Sequence, residues 1–230
     1  MRLLFTSIIL IVSGLGFQNL EASPLPQMAE ASKIQTNVDP VLDHLKPILK
    51  ASGKVARIYY LGSCRKEGDF YWVSFPHIHL QPTSRSDKGL IAVRDVFRSE
   101  RDARVSEGPD GIIRIVIGQL PVTILDTPIS IVNFDQQQQY NANLALWRIE
   151  DSKEVDDAIR KLGIRSDGVP LRTTLGTGPT EGTPYLPTSM ANLTLDQALD
   201  SVAKTFGGAV LYGVCAEPRL YTVHYVSLKP

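Results

Sequence analysis

Two cysteines, two tryptophans, three methionines and four histidines are all that 230 residues offer in those chemistries. No charge is left over either, since 24 Lys and Arg balance 24 Asp and Glu. Neutrality argues against nucleic-acid binding, which needs a basic surface to displace counterions from phosphates. There is no GxSxG elbow, no HExxH helix and no CxxC, so the usual serine-hydrolase, zinc-protease and four-ligand zinc signatures are missing. The glycine-rich stretch Gly176 to Gly182 lacks both GxGxxG spacing and the Lys-Ser/Thr of a phosphate loop, and Pro179 stands where a helix should begin. It reads as a loop. After residue 30 charge, Pro or Gly interrupts every apolar run within about ten residues, short of the ~20 that cross a bilayer, so no integral membrane segment is expected there.

What is present begins at the N-terminus. Arg2 precedes a nearly apolar run from Leu3 to Leu15, and Leu20-Glu21-Ala22 before Ser23 supplies a small residue for cleavage. Residues 1–22 therefore read as a cleavable signal peptide, placing the chain in the periplasm or outside the cell. No cysteine lies near that point to carry a lipid anchor. In an oxidising compartment Cys64 and Cys215 are expected to form a disulfide. It closes a loop of about 150 residues, worth up to ~5 kcal/mol of chain entropy.

Residues 23–38 are a polar lead-in, and residues 39–118 hold two helix–hairpin units. In the first, Asp39-Pro40 opens a helix bearing Val41, Leu42, Leu45, Ile48 and Leu49. Strands are predicted at Val55–Leu61 and Phe70–Leu80, with Pro76 marking an edge or bulge. In the second, Asp87 caps a helix from Lys88 to about Glu100, and Gly108-Pro109-Asp110-Gly111 turns a hairpin. Residues 119–165 form a helical connector: a short strand near Ile129–Phe134, a helix from Asp135 through Ile149, and a Ser152-capped helix ending at Gly163. A Gly/Pro-rich loop spans 166–191. The C-terminal unit, 192–230, opens on the capping box Thr194-Leu-Asp-Gln197, runs a helix to Gly207-Gly208, and closes with two strands.

The first and last units align as LDHLKPILKASGKVARIYYLGSC and LDQALDSVAKTFGGAVLYGVC. Their cysteines fall at equivalent strand ends, so a bond between them requires the two units to be neighbours. The expected class is α+β: two or three helix–β-hairpin units packed as small mixed sheets with helices on one face.

Chemistry is sparse. His77-x-His79 places two imidazoles on one strand face, and His224 in the matching strand of the last unit is a candidate third ligand. These three are the residues on which a secreted hydrolase, metal-dependent or not, would rest. Without an acidic partner at fixed spacing they read as sheet-face histidines, and no metal or cofactor is assigned. His44 is a polar helix position. Glu150, Asp151, Glu154, Asp156 and Asp157 read as a solvated face at a helix start. Arg94, Arg98 and Arg101 form a stripe suited to an anionic partner, but interleaved Asp95, Glu100 and Asp102 favour a salt-bridged surface.

LTLDQALDSVAKTFGGAVLYGV and, more loosely, GLIAVRDVFRSERDARVSEGPDGIIRIVIG resemble the short N-terminal domain shared by secretins and TonB-dependent receptors. The resemblance covers about a third of the chain and implies a small periplasmic α+β module that contacts other proteins. With no β-barrel and no secretin core, the family's pore and receptor roles do not transfer. The expectation is a non-enzymatic interaction or envelope-assembly module whose partner is another envelope or secreted protein. It would act through a sheet edge or helix face, with FYWVSFPHIHL as a candidate edge.

Overall fold

The structure, a computed structural model, describes residues 40–82, 89–121, 123–167 and 182–228. The expected signal peptide, the expected lead-in, the caps expected at Asp39 and Asp87 and most of the 166–191 stretch lie outside the described residues. Helix α1 (residues 40–52) precedes β1 (Ala56–Leu61) and the hairpin β2 (Ser63–Glu67)–β3 (Phe70–Ser74). Next come α2 (Gly89–Val96), β4 (Ala103–Glu107) and β5 (Ile113–Ile117). The middle of the chain supplies β6 (Pro128–Asn133), α3 (Gln136–Tyr140), α4 (Ala142–Glu150), α5 (Lys153–Leu162) and β7 (Arg165–Ser166). The C-terminal unit is β8 (Ser189–Thr194), α6 (Leu195–Phe206), β9 (Gly208–Cys215) and β10 (Leu220–Ser227). No helix among the described residues is long and apolar enough to cross a membrane.

The class is α+β with mixed sheets, as expected, but the units do not keep separate small sheets. Their strands merge into one six-stranded sheet of order β4-β5-β1-β9-β10-β7. Strands β5, β1 and β9 run parallel, one from each unit. Helices cover both faces rather than one. On one face, Val41, Leu45 and Leu49 of α1 and Val93 and Val96 of α2 pack on Ile58, Tyr60, Ile113, Ile115 and Leu211. On the other, Leu146 and Ile149 of α4 and Leu199 and Val202 of α6 pack on Tyr59, Val210, Tyr212, Tyr221 and Val223. The central parallel strands alternate between these two cores and must be apolar on both faces. β9 is buried along its whole length. The 119–165 segment is therefore part of the core, contributing Ala142, Ala145, Leu146, Ile149 and Val155.

The first and last units are neighbours, with β1 and β9 in register from Ala56↔Ala209 to Leu61↔Val214. Beyond their ends Cys64 and Cys215 form the disulfide, Cα atoms 5.4 Å apart and 151 positions apart in sequence. Two glycines allow this closeness: a Cβ on Gly213 would lie 2.2 Å from the Tyr60 ring, and one on Gly62 2.2 Å from the Ser74 carbonyl oxygen.

The repeat breaks in the first hairpin. β9 pairs with its successor β10 inside the main sheet, whereas β1 already has β5 and β9 on its two edges. The chain after β1 therefore makes its own ribbon, with β2 pairing β3 from Ser63↔Ser74 to Glu67↔Phe70. The strand stops at Ser74, and residues 75–82 are irregular. The expected strand through Leu80 is thus five residues long.

Candidate functional site

The main sheet ends in β4 on one side and in the two-residue β7 on the other, and β4 is the longer terminal strand. In β5 the Ile113 amide donates to Val55 O, so odd residues of β5 face β1 and even ones face β4. The register Arg104↔Val116 and Ser106↔Arg114 then leaves Ala103, Val105 and Glu107 with backbone groups pointing away from the sheet. Two of these groups are occupied: the Ala103 amide donates to Glu100 O, and Arg94 Nε donates to Val105 O at 3.2 Å. Among the described residues the outward amides of Val105 and Glu107 have no acceptor. Side chains of Ala103 and Val105 pack toward the α2 core, and Arg104 and Ser106 are exposed.

Arginines flank this edge. Arg94 comes from α2, Arg98 and Arg101 from the connection into β4, and Arg104 from the strand itself; all four are exposed. Among the described residues the interleaved salt-bridge surface expected from the sequence does not form, because α2 ends at Val96 and the later residues leave helical spacing. Glu100 turns away to accept from the His79 amide at 2.6 Å.

The hairpin behind the edge is anchored through charge. Lys54 Nζ meets Glu107 Oε1 at 2.5 Å. Arg114 grips Asp110 through both carboxylate oxygens, at 2.9 and 3.0 Å, and reaches Asp200 of α6 at 2.5 Å. The hydrogen bond from Arg114 is the main reason the Asp110 carboxyl titrates far below the usual range. Asp200 also binds Arg57 at 2.6 Å, and Asp196 accepts from Arg57 and from the Tyr59 hydroxyl, each at 2.9 Å. Arg57 is 0% exposed and lies over the Tyr59 ring. An open groove of about 690 Å³, lined by Asp110, Arg114, Gln197, Asp200 and Lys204 among others, runs beside the network. The pairs inside it are already matched, so the network locks α6 to β1 and β5.

The histidines do not converge. His77 and His79 are exposed on the irregular segment, ring centroids 5.2 Å apart and edge to face. His224 is in β10, its Nε2 2.6 Å from the Thr222 hydroxyl, and burial holds its pKa down at about 4. Among the described residues no group of three His, Cys, Asp or Glu is placed to hold a metal ion.

Two acids that sequence reasoning missed are taken out of water instead, Asp167 buried and Glu150 half-buried. Burial lifts Glu150, the last residue of α4, to about 8, although the Tyr221 hydroxyl donates to it. Burial likewise lifts Asp167 to about 7, where it accepts from Thr222 and from the Val73 amide of β3. Among the described residues Asp167 Oδ2 has no partner, which suits the protonated acid. A second cavity, about 390 Å³, lies at the carboxyl end of β9, walled by Pro121, Leu162, Ile164, Val214, Cys215 and Leu220, with Glu217 and Arg219 also lining it.

No family model, curated protein or solved structure matches this chain.

Proposed function

We propose that the protein is an exported, non-enzymatic interaction module that adds a strand of its partner to the β4 edge. The observation that carries this reading is the outward row of backbone groups on Ala103, Val105 and Glu107, backed by a hairpin held rigid through Lys54, Arg114 and Asp200. Strand addition draws affinity from main-chain hydrogen bonds and needs a preformed edge. The Cys64–Cys215 bond supports an oxidising compartment, in line with export. The helix-then-hairpin order of α6, β9 and β10 supports the kinship with the secretin and TonB-receptor N-terminal module. The edge is β4, not the FYWVSFPHIHL segment: there β3 is paired on one side by β2, and its Val73 amide is capped by Asp167.

The variant that tests the reading is Val105→Pro. The Val105 amide does not serve the sheet, so proline removes an outward donor while sparing the bonds to β5. Immobilised wild type and V105P are exposed to envelope extract of the organism that makes the protein. Capture by wild type that V105P loses supports the reading; equal capture by both, or none by either, contradicts it. Should V105P fail to fold, Glu107→Pro carries the comparison against Glu107→Gln, which loses the Lys54 ion pair but keeps the outward amide.

A further inference from the structure

We infer that the strand accepted by the β4 edge is an extended segment rich in Asp and Glu. This rests on the edge reading and goes beyond it to the chemistry of the partner. Arg94, Arg98, Arg101 and Arg104 are all exposed, and none has a carboxylate of another described residue within 4.0 Å. Elsewhere among the described residues Arg57, Arg114, Arg148 and Arg160 each have an acidic partner, whereas Arg65, Arg165 and Arg219 stand singly; only along β4 are four unpaired arginines gathered together. The carboxylates of Asp95, Glu100 and Asp102 share the stretch with the four arginines and pair with none of them.

The distribution of the four matters as much as their number. Arg104 projects from β4 on the face opposite the side chains of Ala103 and Val105, which pack toward the α2 core, and Arg94 approaches from α2 on that core side. A strand laid along β4 sends alternate side chains to those same two faces. Carboxylates at successive positions would thus meet guanidinium groups on both sides of the sheet. Arg94 also covers the one outward carbonyl of Val105 with a single 3.2 Å bond. A carboxylate on the incoming strand offers that guanidinium a stronger, charge-assisted bond and so releases the carbonyl for strand pairing.

The same charges disfavour a second copy of this chain. Antiparallel pairing of two β4 strands about Val105 would set Arg104 diagonally across from its own copy on one face, and would bring both arginine stripes together. An edge guarded against itself and open to acid is selective.

Fluorescence anisotropy with labelled eight-residue peptides, alternating Val with Glu, Gln or Lys, tests this on the full chain. The Val-Glu peptide should bind wild type at least about tenfold more tightly than Val-Gln, with Val-Lys weaker still. That advantage should fade as salt is raised from about 50 to about 500 mM. In the Arg98→Gln/Arg101→Gln/Arg104→Gln variant, Val-Glu and Val-Gln should bind alike. Equal binding of the two by wild type, with V105P abolishing both, overturns the acidic preference and leaves the edge reading standing. Val-Glu binding that V105P leaves intact overturns the edge reading itself. A dimer in sedimentation that V105P dissociates would make the occupant a second copy and overturn the inference.

Discussion

Arg57 interrupts a strand that is otherwise aliphatic and aromatic, and its guanidinium is fully enclosed between Asp196, Asp200 and Tyr59. Removing one partner of a buried pair leaves an uncompensated charge, so Asp200→Ala should cost about 3–5 kcal/mol in urea denaturation. A loss below 1 kcal/mol would show that water reaches Arg57. The titrating residues give a second expectation. Glu150 and Asp167 hold protons in the fold up to about 8 and about 7, whereas the unfolded chain releases them near an ordinary carboxylate pKa. Between those values the folded state binds more protons than the unfolded, so stability falls as pH rises. His224, held at about 4, acts the other way, costing stability as pH drops from its unfolded value near ~6.5. Above about pH 6.5 His224 no longer opposes the two acids, and denaturation midpoints should decline from there to about pH 8. Glu150→Gln should flatten the decline; an unchanged slope would contradict the assignment. Neither feature was plain in the sequence. A lone Arg in VARIYYL is a weak sign of a buried ion pair, and Glu150 begins an acidic run whose other members do face solvent, Asp151, Asp156 and Asp157 among them.

Helical periodicity from Asp135 to Ile149 concealed a break. Asn141 takes an extended conformation, φ −129 and ψ 113, ending α3 and capping α4 by accepting from the Asn143 and Leu144 amides. Asn141→Ala should cost about 0.5–2 kcal/mol, measured by thermal unfolding, whereas a change within error would mean that the cap is redundant. Helix caps with a complete local signature were legible: Thr194 and Gln197 form the reciprocal bonds their spacing implies, and Gly163 and Gly207 close α5 and α6 in the left-handed region. Strand partners were not. The sequence of the first hairpin resembles the last, but β1 has no vacant edge for β3 to join. The β4 edge escaped notice for the same reason, since which strand ends a sheet is decided by the order of all six.

Across the whole molecule, the repeat and the expected export signal together point to a clamp between the first and last units, and β1 and β9 lie side by side with Cys64 and Cys215 joined beyond them. Replacing both cysteines by serine should lower stability by up to about 5 kcal/mol on the chain-entropy scale. The loss should appear first as faster exchange in β2 and β3, which that bond ties to β9. What no local pattern could convey was the second helical layer, because covering both faces depends on where the 119–165 segment folds back. The claim that the β4 edge is the docking site is tested most directly by amide hydrogen exchange on the full chain, with and without the Val-Glu peptide. New protection is expected at the Val105 and Glu107 amides, which have no acceptor among the described residues of the free protein. Protection centred on the carboxyl-end cavity around Leu162 and Val214, with Val105 and Glu107 unchanged, would contradict it.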